Sequence, residues 1–265
     1  MRKVLITSGC SFTESIYSWI NPGNNVLTKT WAFYLGKYLQ DFGYDFVNKA
    51  MGSQGNGLIS RGIVYQVTEE LKTKNPEDII VGVVWSGVDR HDYRCENPEF
   101  ADFLINKVHN GWIENPTGFI ENKKKWIIMN HHWPTSDLTG KINQEANLYY
   151  KNFHDTIGAY IYSMEHMLRV QYFLKALNIK YFFTIYQDHV FEPKYINHDE
   201  VMYLYKLLDK NNFLPVNSLY TWCVESKIRE DLWQFPHPGN HPKSPHHQAF
   251  TQQIVIPWLK LKNYI

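Results

Sequence analysis

The first half of the chain alternates between short apolar runs and segments in which apolar residues recur every three or four positions. The runs Val4–Ile6, Asp45–Val47 and Ile79–Trp85 predict strands, and the third is apolar on both faces, as a central parallel strand requires. The periodic segments Trp31–Leu39 and Leu58–Leu71 predict helices between these strands. Right-handed crossovers would join such units into a doubly wound, flavodoxin-like parallel sheet flanked by helices.

This alternation breaks down between about residues 91 and 153, which predicts a long insertion after the third strand. Insertions of this length commonly form lids or partner surfaces. Regularity returns after it, with a helix, a strand, a short helix and a closing helix predicted at Ile157–Val170, Lys180–Tyr186, Asp199–Leu208 and Gln248–Lys260. Pro257 should kink or end the last helix. We therefore expect one α/β domain over residues 1–265, interrupted by this insertion.

The composition is typical of one globular domain. The 265 residues are 44% hydrophobic and 20% charged, which allows one large core and excludes a natively disordered chain. The 27 Lys and Arg residues balance 26 Asp and Glu residues, so the formal charge is only +1. No global field therefore favours a nucleic acid or an anionic membrane, and we expect neither as a partner. The oligomeric state is left open by these patterns.

The cysteines and the amino terminus bear on the compartment. Cys10, Cys95 and Cys223 are too few for a disulfide framework and lack the spacing of a zinc site, which favours a reducing compartment. The apolar run after Met1 is too brief for the core of a signal peptide. We therefore expect a cytoplasmic protein, and its abundant Asn, Lys and Tyr would also fit a viral origin from an AT-rich genome.

Four segments are rich in reactive or conformationally permissive residues: Gly9–Thr13, Asn48–Asn56, Trp85–Arg90 and Pro238–His247. The first three follow predicted strands. Because ligands in open α/β sheets bind outside the carboxyl ends of the strands, we expect these three segments to converge on one site. Ser11 in the first segment and His241 in the last are the residue types of a nucleophile and its general base.

The four segments resemble the sequence blocks of the SGNH (GDSL-type) hydrolases, which supply serine, glycine, asparagine and histidine in that chain order. Gly9–Phe12 is similar to the Gly-Asp-Ser block, with Cys10 in place of the aspartate and Ser11 in the nucleophile position. His241–Pro242 is similar to the His-Pro of the last block. The resemblance spans nearly the whole chain. It implies the family's three-layer sandwich and a serine esterase, for which we expect no cofactor and no metal.

The resemblance also implies roles for particular groups. His241 would take the proton of Ser11, and the oxyanion would be held by the backbone amides of Ser11 and of Gly52 or Ser53. Each such donor is worth roughly 3 kcal/mol in measured oxyanion holes. Four further residues near the blocks could contact substrate or support the site: Asn56, Asp89, Arg90 and His247.

Two positions depart from the family's pattern. Asp89 stands where the family has an asparagine, and an ionised carboxylate cannot donate a hydrogen bond to an oxyanion. Asp89 could instead pair with Arg90 or orient another donor. Pro238 stands where the family has the aspartate that orients the histidine. His241 would then need a backbone carbonyl or a carboxylate such as Asp231, or the site would act as a serine–histidine dyad.

We predict a serine esterase that hydrolyses an acyl ester, in particular an acetyl ester, of a small molecule or a glycan. The carbohydrate follows from the family and from the 16% aromatic content, since exposed rings can stack on sugars. One alternative is a catalytically degenerate protein of the same fold that binds a glycan or a protein partner, which the two departures favour. Another is a metal-dependent esterase or phosphodiesterase that uses histidines between His237 and His247. A structural role remains open for Ser11 as a turn serine and for His241 as a turn residue.

Overall fold

The computed structural model describes residues 2–14, 16–17, 27–52, 54–94, 126–129, 148–226 and 241–265. Ser53, Asp231 and Pro238, which the sequence singles out, lie outside these residues. The same holds for Cys95, His237 and most of the predicted insertion.

A parallel sheet forms the centre of the fold, as the sequence predicts. The strands of the described residues are β1 (Lys3–Gly9), β2 (Ile16–Tyr17), β3 (Leu27–Thr28), β4 (Tyr44–Asn48), β5 (Ile79–Trp85), β6 (His91–Arg94), β7 (Trp126–Met129) and β8 (Lys180–Ile185). Four of them form the parallel sheet in the order β4-β1-β5-β8. In the register of this sheet, Leu5 of β1 lies between Phe46 and Ile80. The order reverses at β1, as expected for a doubly wound, flavodoxin-like sheet.

Helices connect and cover the strands. They are α1 (Trp31–Gln40), α2 (Asn56–Glu70), α3 (Thr156–Ala176), α4 (Pro193–Ile196), α5 (Asp199–Leu207), α6 (Leu219–Glu225), α7 (Ser244–Phe250) and α8 (Ile256–Leu261). Helix α2 packs on β1 and on α3, which in turn packs on α5. Helix α1 packs on β4 and on α7. The helices therefore pack as two groups against the sheet, which confirms the predicted α/β class with a helix-flanked parallel sheet.

The core lies in and around the sheet. Every residue of β5 is buried, and so are residues 4–9 of β1. Parallel strands covered on both faces need apolar side chains on both faces, which is why Ile79–Trp85 was readable as a central strand. No helix within the described ranges is long and apolar enough to cross a membrane.

The closing helix continues through Pro257 to Leu261 rather than ending at the proline, and it changes helix type before that residue. Helix α7 ends at Phe250, and Thr251–Val255 forms a π-helical turn before α8 begins at Ile256. Within this turn the amide of Ile256 donates to the carbonyl of Thr251, five residues back. Pro257 then falls in the first turn of α8, directly after the π-helical turn.

The described part of the predicted insertion begins and ends with regular structure. Strands β6 and β7 pair antiparallel, with His91 opposite Met129. Residues 148–152 are helical and lead into α3. That the insertion belongs to a single domain with the rest of the chain stays a prediction.

Candidate active site

The carboxyl ends of β1, β4 and β5 bring three of the four sequence segments together. Gly9 at the end of β1 pairs with Val84 of β5. The carbonyl of Gly9 accepts a hydrogen bond from the amide of Met51 at 3.2 Å and one from Nε2 of Gln54 at 2.5 Å. The loop after β4 is therefore tied to the end of β1. This arrangement follows the rule that loops at the carboxyl edge of a parallel sheet form a common site.

Ser11 lies in a single helical turn directly after β1. The amides of Thr13 and Glu14 both donate to the carbonyl of Cys10, at 2.9 and 3.1 Å. Gly9 lets the chain enter this turn, because a Cβ at that position would lie 2.7 Å from the carbonyl oxygen of Val84 and would also meet Oγ1 of Thr13. Cys10 is fully buried beneath the turn. Buried Cys10 and the hydrogen bonds to its carbonyl hold the turn in place, so that Ser11 lies at the carboxyl edge of the sheet.

Thr13 anchors this turn to two other segments. Its Oγ1 accepts a hydrogen bond from Nε1 of Trp31 at 3.1 Å. Its carbonyl accepts one from Oγ1 of Thr30 at 2.7 Å and one from Nδ2 of Asn48 at 3.0 Å. All of these polar groups are buried or half-buried and satisfied, as stable interiors require. The turn that carries Ser11 is thus held by the start of α1 and the end of β4.

Ser11 and His241, 230 positions apart in the chain, meet at this turn. The Oγ of Ser11 lies 2.5 Å from Nε2 of His241, and both residues are half-buried. The imidazole also packs on the ring of Phe12, with 4.7 Å between the ring centroids. When Nε2 accepts the serine proton, the imidazole must carry its own proton on Nδ1. The pair has the geometry of a nucleophile beside its general base.

His247 supports the histidine side of this pair from behind. It lies in α7, is 1% exposed, and its ring hydrogen-bonds to the backbone of Pro242, the residue after His241. Burial, together with the neighbouring His241 and His246, lowers the pKa of His247 to about 3. His247 is therefore neutral at physiological pH. It acts on the site indirectly, through its hydrogen bond to the backbone of Pro242 next to His241. Of the two roles that the sequence leaves open for His247, support is the one that its burial fits.

The amide of Gly52 is engaged by a residue that the sequence analysis did not single out. Gly52 N lies 2.5 Å from Oε2 of Glu14 and donates a hydrogen bond to it. Glu14 stands three positions after Ser11 in the same helical turn, so the two side chains share one side of the turn. The amide predicted for an oxyanion thus faces a carboxylate. An acidic residue at this spacing is visible in the sequence, but its partner is set by the tertiary fold.

Asp89 and Arg90 follow β5, and the ion pair predicted between them does not form. Arg90 donates instead from Nη1 to Oγ of Ser86 at 2.8 Å, and its guanidinium lies over the ring of Tyr186, 5.1 Å from the centroid. Burial alone would lower the pKa of Arg90, but Cys10, Tyr186 and Asp89 raise it above its ordinary value. Oδ2 of Asp89 is buried and has no hydrogen-bond partner among the described residues.

Arg90 nonetheless belongs to the same packed group as the Ser11 turn. The ring of Tyr186 meets that of Phe12 edge-on, at 5.2 Å between centroids. The guanidinium also contacts Cys10, the residue before Ser11. A half-buried positive charge therefore lies beside the residue that precedes the proposed nucleophile.

Asn56 is a structural residue. It is 1% exposed, its Oδ1 accepts from the amide of Ser86 at 2.8 Å, and its Nδ2 donates to the carbonyl of Ser86 at 3.1 Å and to Oγ of Ser163 at 3.1 Å. Because its amide is used in this way, Asn56 joins the start of α2 to the loop after β5. Of the two roles that the sequence left open for it, support is the one that its contacts fit.

The start of α2 is capped by Asp92, a residue of β6 that lies just past the third predicted strand. Its two carboxylate oxygens accept from the amides of Gly55 and Leu58, each at 2.9 Å. Gly55 itself has no side chain to cap the helix, so the carboxylate arrives from β6. Burial raises the pKa of Asp92 to about 6, against the lowering effect of these two hydrogen bonds.

The described residues contain no group of three or more His, Cys, Asp and Glu side chains that could hold a metal ion. Two of the four histidines considered for a metal site fall within α7, where they are buried: His246 and His247. His237, a third candidate, lies outside the described residues. The sequence-based alternative of a metal centre therefore gains no support from this part of the chain.

Comparison with known proteins finds similar structures but no matching sequence family. No protein-family model and no curated protein matches the chain. Among solved structures, TesA is 12% identical and aligns over 98% of this chain and 99% of its own, with a TM-score of 0.49. A protein described as a GDSL-like lipase from Parabacteroides merdae is 11% identical, over 100% of this chain and 98% of its own, with a TM-score of 0.42.

A third similar structure is a catalytic mutant of Axe2, an acetylxylan esterase from Geobacillus stearothermophilus. It is 12% identical and aligns over 94% of this chain and 91% of its own, with a TM-score of 0.43.

Proposed function

We propose that this chain is a serine hydrolase of SGNH type that cleaves carboxylic esters, with Ser11 as the nucleophile and His241 as its general base. The observation that carries the proposal is the 2.5 Å distance between Oγ of Ser11 and Nε2 of His241 at the carboxyl edge of the sheet. A serine hydroxyl is a poor nucleophile near neutral pH until an imidazole in hydrogen-bond reach removes its proton.

The reaction follows from these two groups. Oγ of Ser11 attacks the ester carbonyl carbon while Nε2 of His241 takes the hydroxyl proton, and the carbonyl oxygen becomes an oxyanion. The protonated imidazole then gives that proton to the departing alcohol, leaving an acyl group on Ser11. Water, deprotonated by His241, attacks this acyl group and releases the carboxylic acid. The proton on His241 returns to Ser11, and the site is restored.

The oxyanion needs donors that are already aimed at it. The backbone amide of Ser11 and those of Gly52 and Ser53 are the proposed donors, and the guanidinium of Arg90, in contact with Cys10, adds a positive potential beside the turn. Asp89 is no donor in its ionised form. Asp89 is instead proposed to support the loop after β5, where its backbone carbonyl accepts a hydrogen bond from the hydroxyl of Tyr150 at 2.7 Å.

The proposed substrate is an acyl ester of a small molecule or a glycan, and the acyl group is in particular acetyl. This part of the proposal rests on the sequence resemblance and on the aromatic content of the chain. A small acyl group would also suit a half-buried serine, since both Ser11 and His241 are partly covered. The mechanism itself uses only side chains and backbone amides of this chain.

Replacing either member of the pair tests the proposal. Ser11→Ala and His241→Ala are each expected to lower the hydrolysis of a small aryl acetate by about a thousandfold or more, because each removes a group that acts in the bond-making step. Hydrolysis is measured by release of the aryl alcohol. A fluorophosphonate should label Ser11 in the wild type, and mass spectrometry of the labelled peptide would identify the residue.

A matched serine variant serves as the control. Ser226 lies after α6, where its hydroxyl donates a hydrogen bond to the carbonyl of Cys223, and Ser226→Ala is expected to leave the rate unchanged. Circular dichroism checks that each variant folds. Turnover that persists in a folded Ser11→Ala variant would refute the assignment.

A second candidate function is a catalytically degenerate binding protein. The specific observation in its favour is the contact between Gly52 and Glu14, because the amide predicted for an oxyanion is occupied by a carboxylate. Such a protein would bind a glycan ester, by calorimetry or ligand-observed NMR, without hydrolysing it. It would also leave Ser11 unlabelled by a fluorophosphonate, which separates the two functions.

A further inference from the structure

Glu14 lies between the proposed nucleophile and the proposed oxyanion donor. It shares one helical turn with Ser11, whose Oγ meets His241, and its own Oε2 accepts the amide hydrogen of Gly52. Glu14 is half-buried rather than exposed to solvent. The carboxylate of Glu14 therefore links the turn that carries the proposed nucleophile to the proposed oxyanion donor.

A carboxylate in this position opposes the chemistry proposed for the site. Hydrogen bonds from an amide to an ionised carboxylate are about twice as strong as those to a neutral carbonyl. An ester carbonyl therefore competes poorly with Glu14 for the Gly52 amide before the reaction begins. As the oxyanion develops, a fixed negative charge beside it would also raise the energy of the transition state.

We propose that Glu14 is an internal occupant of the oxyanion site, which blocks the Gly52 amide in the free protein and must leave it for an ester to react. This inference rests on the proposed function and adds a regulatory residue to the same site. The group that displaces Glu14 from the Gly52 amide is the ester carbonyl. Binding of the alcohol portion of the substrate nearby would add to the free energy that favours this displacement. Glu14 is thus an inhibitory residue, and the activity of the site depends on where its carboxylate points.

The competing explanation is that Glu14 simply ties the loop after β4 to the turn that carries Ser11. The two explanations predict opposite orders of reactivity. If Glu14 is a structural tie, removing it loosens the site, so that reactivity falls from the wild type to Glu14→Gln and falls further in Glu14→Ala. If Glu14 is an internal occupant, reactivity rises in that same order, because a neutral amide binds Gly52 less strongly and a methyl group does not bind it at all.

The experiment measures the second-order rate of Ser11 labelling by an aryl fluorophosphonate. In this reaction the Ser11 oxygen–phosphorus bond forms, the phosphorus–fluorine bond breaks, fluoride leaves, and His241 takes the serine proton. The phosphoryl oxygen needs the same amides as an ester oxyanion. We expect Glu14→Gln to label about tenfold faster than the wild type, and Glu14→Ala to label faster still. For an aryl acetate, the rise should appear in kcat/KM.

A matched control comes from α2. Glu69 pairs with Lys72 on the exposed surface at 2.7 Å, so Glu69→Gln is expected to label at the wild-type rate. Circular dichroism establishes that each variant is folded, and Glu14→Gln, which keeps the size and an acceptor oxygen, decides the matter if Glu14→Ala does not fold.

The outcomes separate this inference from the proposed function. Labelling of wild-type Ser11 with unchanged or slower rates in folded Glu14 variants overturns the inference and leaves the hydrolase proposal standing. Absence of Ser11 labelling in every variant, with the fluorophosphonate active on a reference serine hydrolase, overturns both. Faster labelling in the order wild type, Gln, Ala supports both.

Discussion

The turn that carries Ser11 is held by hydrogen bonds from neighbouring segments, whereas the described contacts of His241 are with side chains and with a buried helix behind it. Thr13 alone receives hydrogen bonds from Thr30, Trp31 and Asn48. His241 meets Ser11 and the ring of Phe12, and its neighbour Pro242 is held by His247. The proposed nucleophile is built into the sheet edge, and the proposed base is brought to it by the end of the chain.

This difference separates two kinds of sensitivity. Support by buried hydrogen bonds couples the position of Ser11 to the stability of the whole fold, since an unpartnered buried donor costs about 1–3 kcal/mol. Support by a buried neutral histidine couples the position of His241 to pH. Damage on the serine side should therefore appear as lost stability at any pH, and damage on the histidine side as a changed pH dependence.

The largest effect is expected at Gly9, where β1 enters the serine turn. In Gly9→Ala the new Cβ would lie 2.7 Å from the carbonyl oxygen of Val84, and backbone cannot move aside as a flexible side chain can. We expect the free energy of unfolding to fall by about 3 kcal/mol or more, measured by urea denaturation.

Gly62 in α2 is the matched control for Gly9. A Cβ at Gly62 meets nothing within 4 Å, so Gly62→Ala should raise stability by about 0.5–1 kcal/mol through its helix propensity. Equal effects of the two substitutions would show that the serine turn does not depend on the close approach at Gly9.

A smaller loss is expected from Thr13→Val. The substitution keeps the shape of the side chain but removes the acceptor for Nε1 of Trp31, which is buried. We expect the free energy of unfolding to fall by about 2 kcal/mol. Thr68→Val, at an exposed site in α2 where water can replace the bond to Val64, should change it by less than about 0.5 kcal/mol. If Thr13→Val is as stable as the wild type, the position of Ser11 does not depend on these buried hydrogen bonds, and the proposed difference between the serine side and the histidine side is wrong.

For His247, which supports the histidine side, we expect the unfolding free energy to change with pH rather than to differ by a constant amount. The unfolded chain binds a proton at His247 below about pH 6.5, whereas burial in the folded chain holds this pKa at about 3. The contribution of this neutral histidine to stability is therefore fully present above about pH 6.5 and is lost as the pH falls toward 3. The limiting slope is about 1.4 kcal/mol per pH unit.

His247→Gln removes this titration and keeps a side-chain N–H for the backbone of Pro242. We compare the unfolding free energies of wild type and variant by urea denaturation from about pH 7 to 5. Near pH 5, each further drop of one pH unit should destabilise the wild type relative to the variant by about 1.4 kcal/mol. Parallel stability curves for the two proteins would contradict the buried, neutral state of His247.

The sequence predicts more of the fold than of the site. Ile79–Trp85 matches β5 residue for residue, because a strand buried on both faces must be apolar throughout. The meeting of Ser11 and His241 is anticipated by the order of the sequence segments, since it depends on strand ends that the alternating pattern already implies. In contrast, the bond from Gly52 to Glu14 and the cap that Asp92 provides for α2 are not readable from the chain. These bonds join residues 34, 37 and 38 positions apart through side-chain geometry, for which the sequence has no periodic signal.

The cap on α2 has a consequence for the part of the chain that follows β5. Asp92 belongs to β6 at the beginning of the insertion, yet its carboxylate holds the amides of Gly55 and Leu58, immediately beyond the loop that contains Gly52. Any ligand or partner that draws β6 outward must first release those two amides. The start of the insertion and the start of α2 are therefore joined through one carboxylate, and protonation of this carboxylate near pH 6 would weaken the link between them.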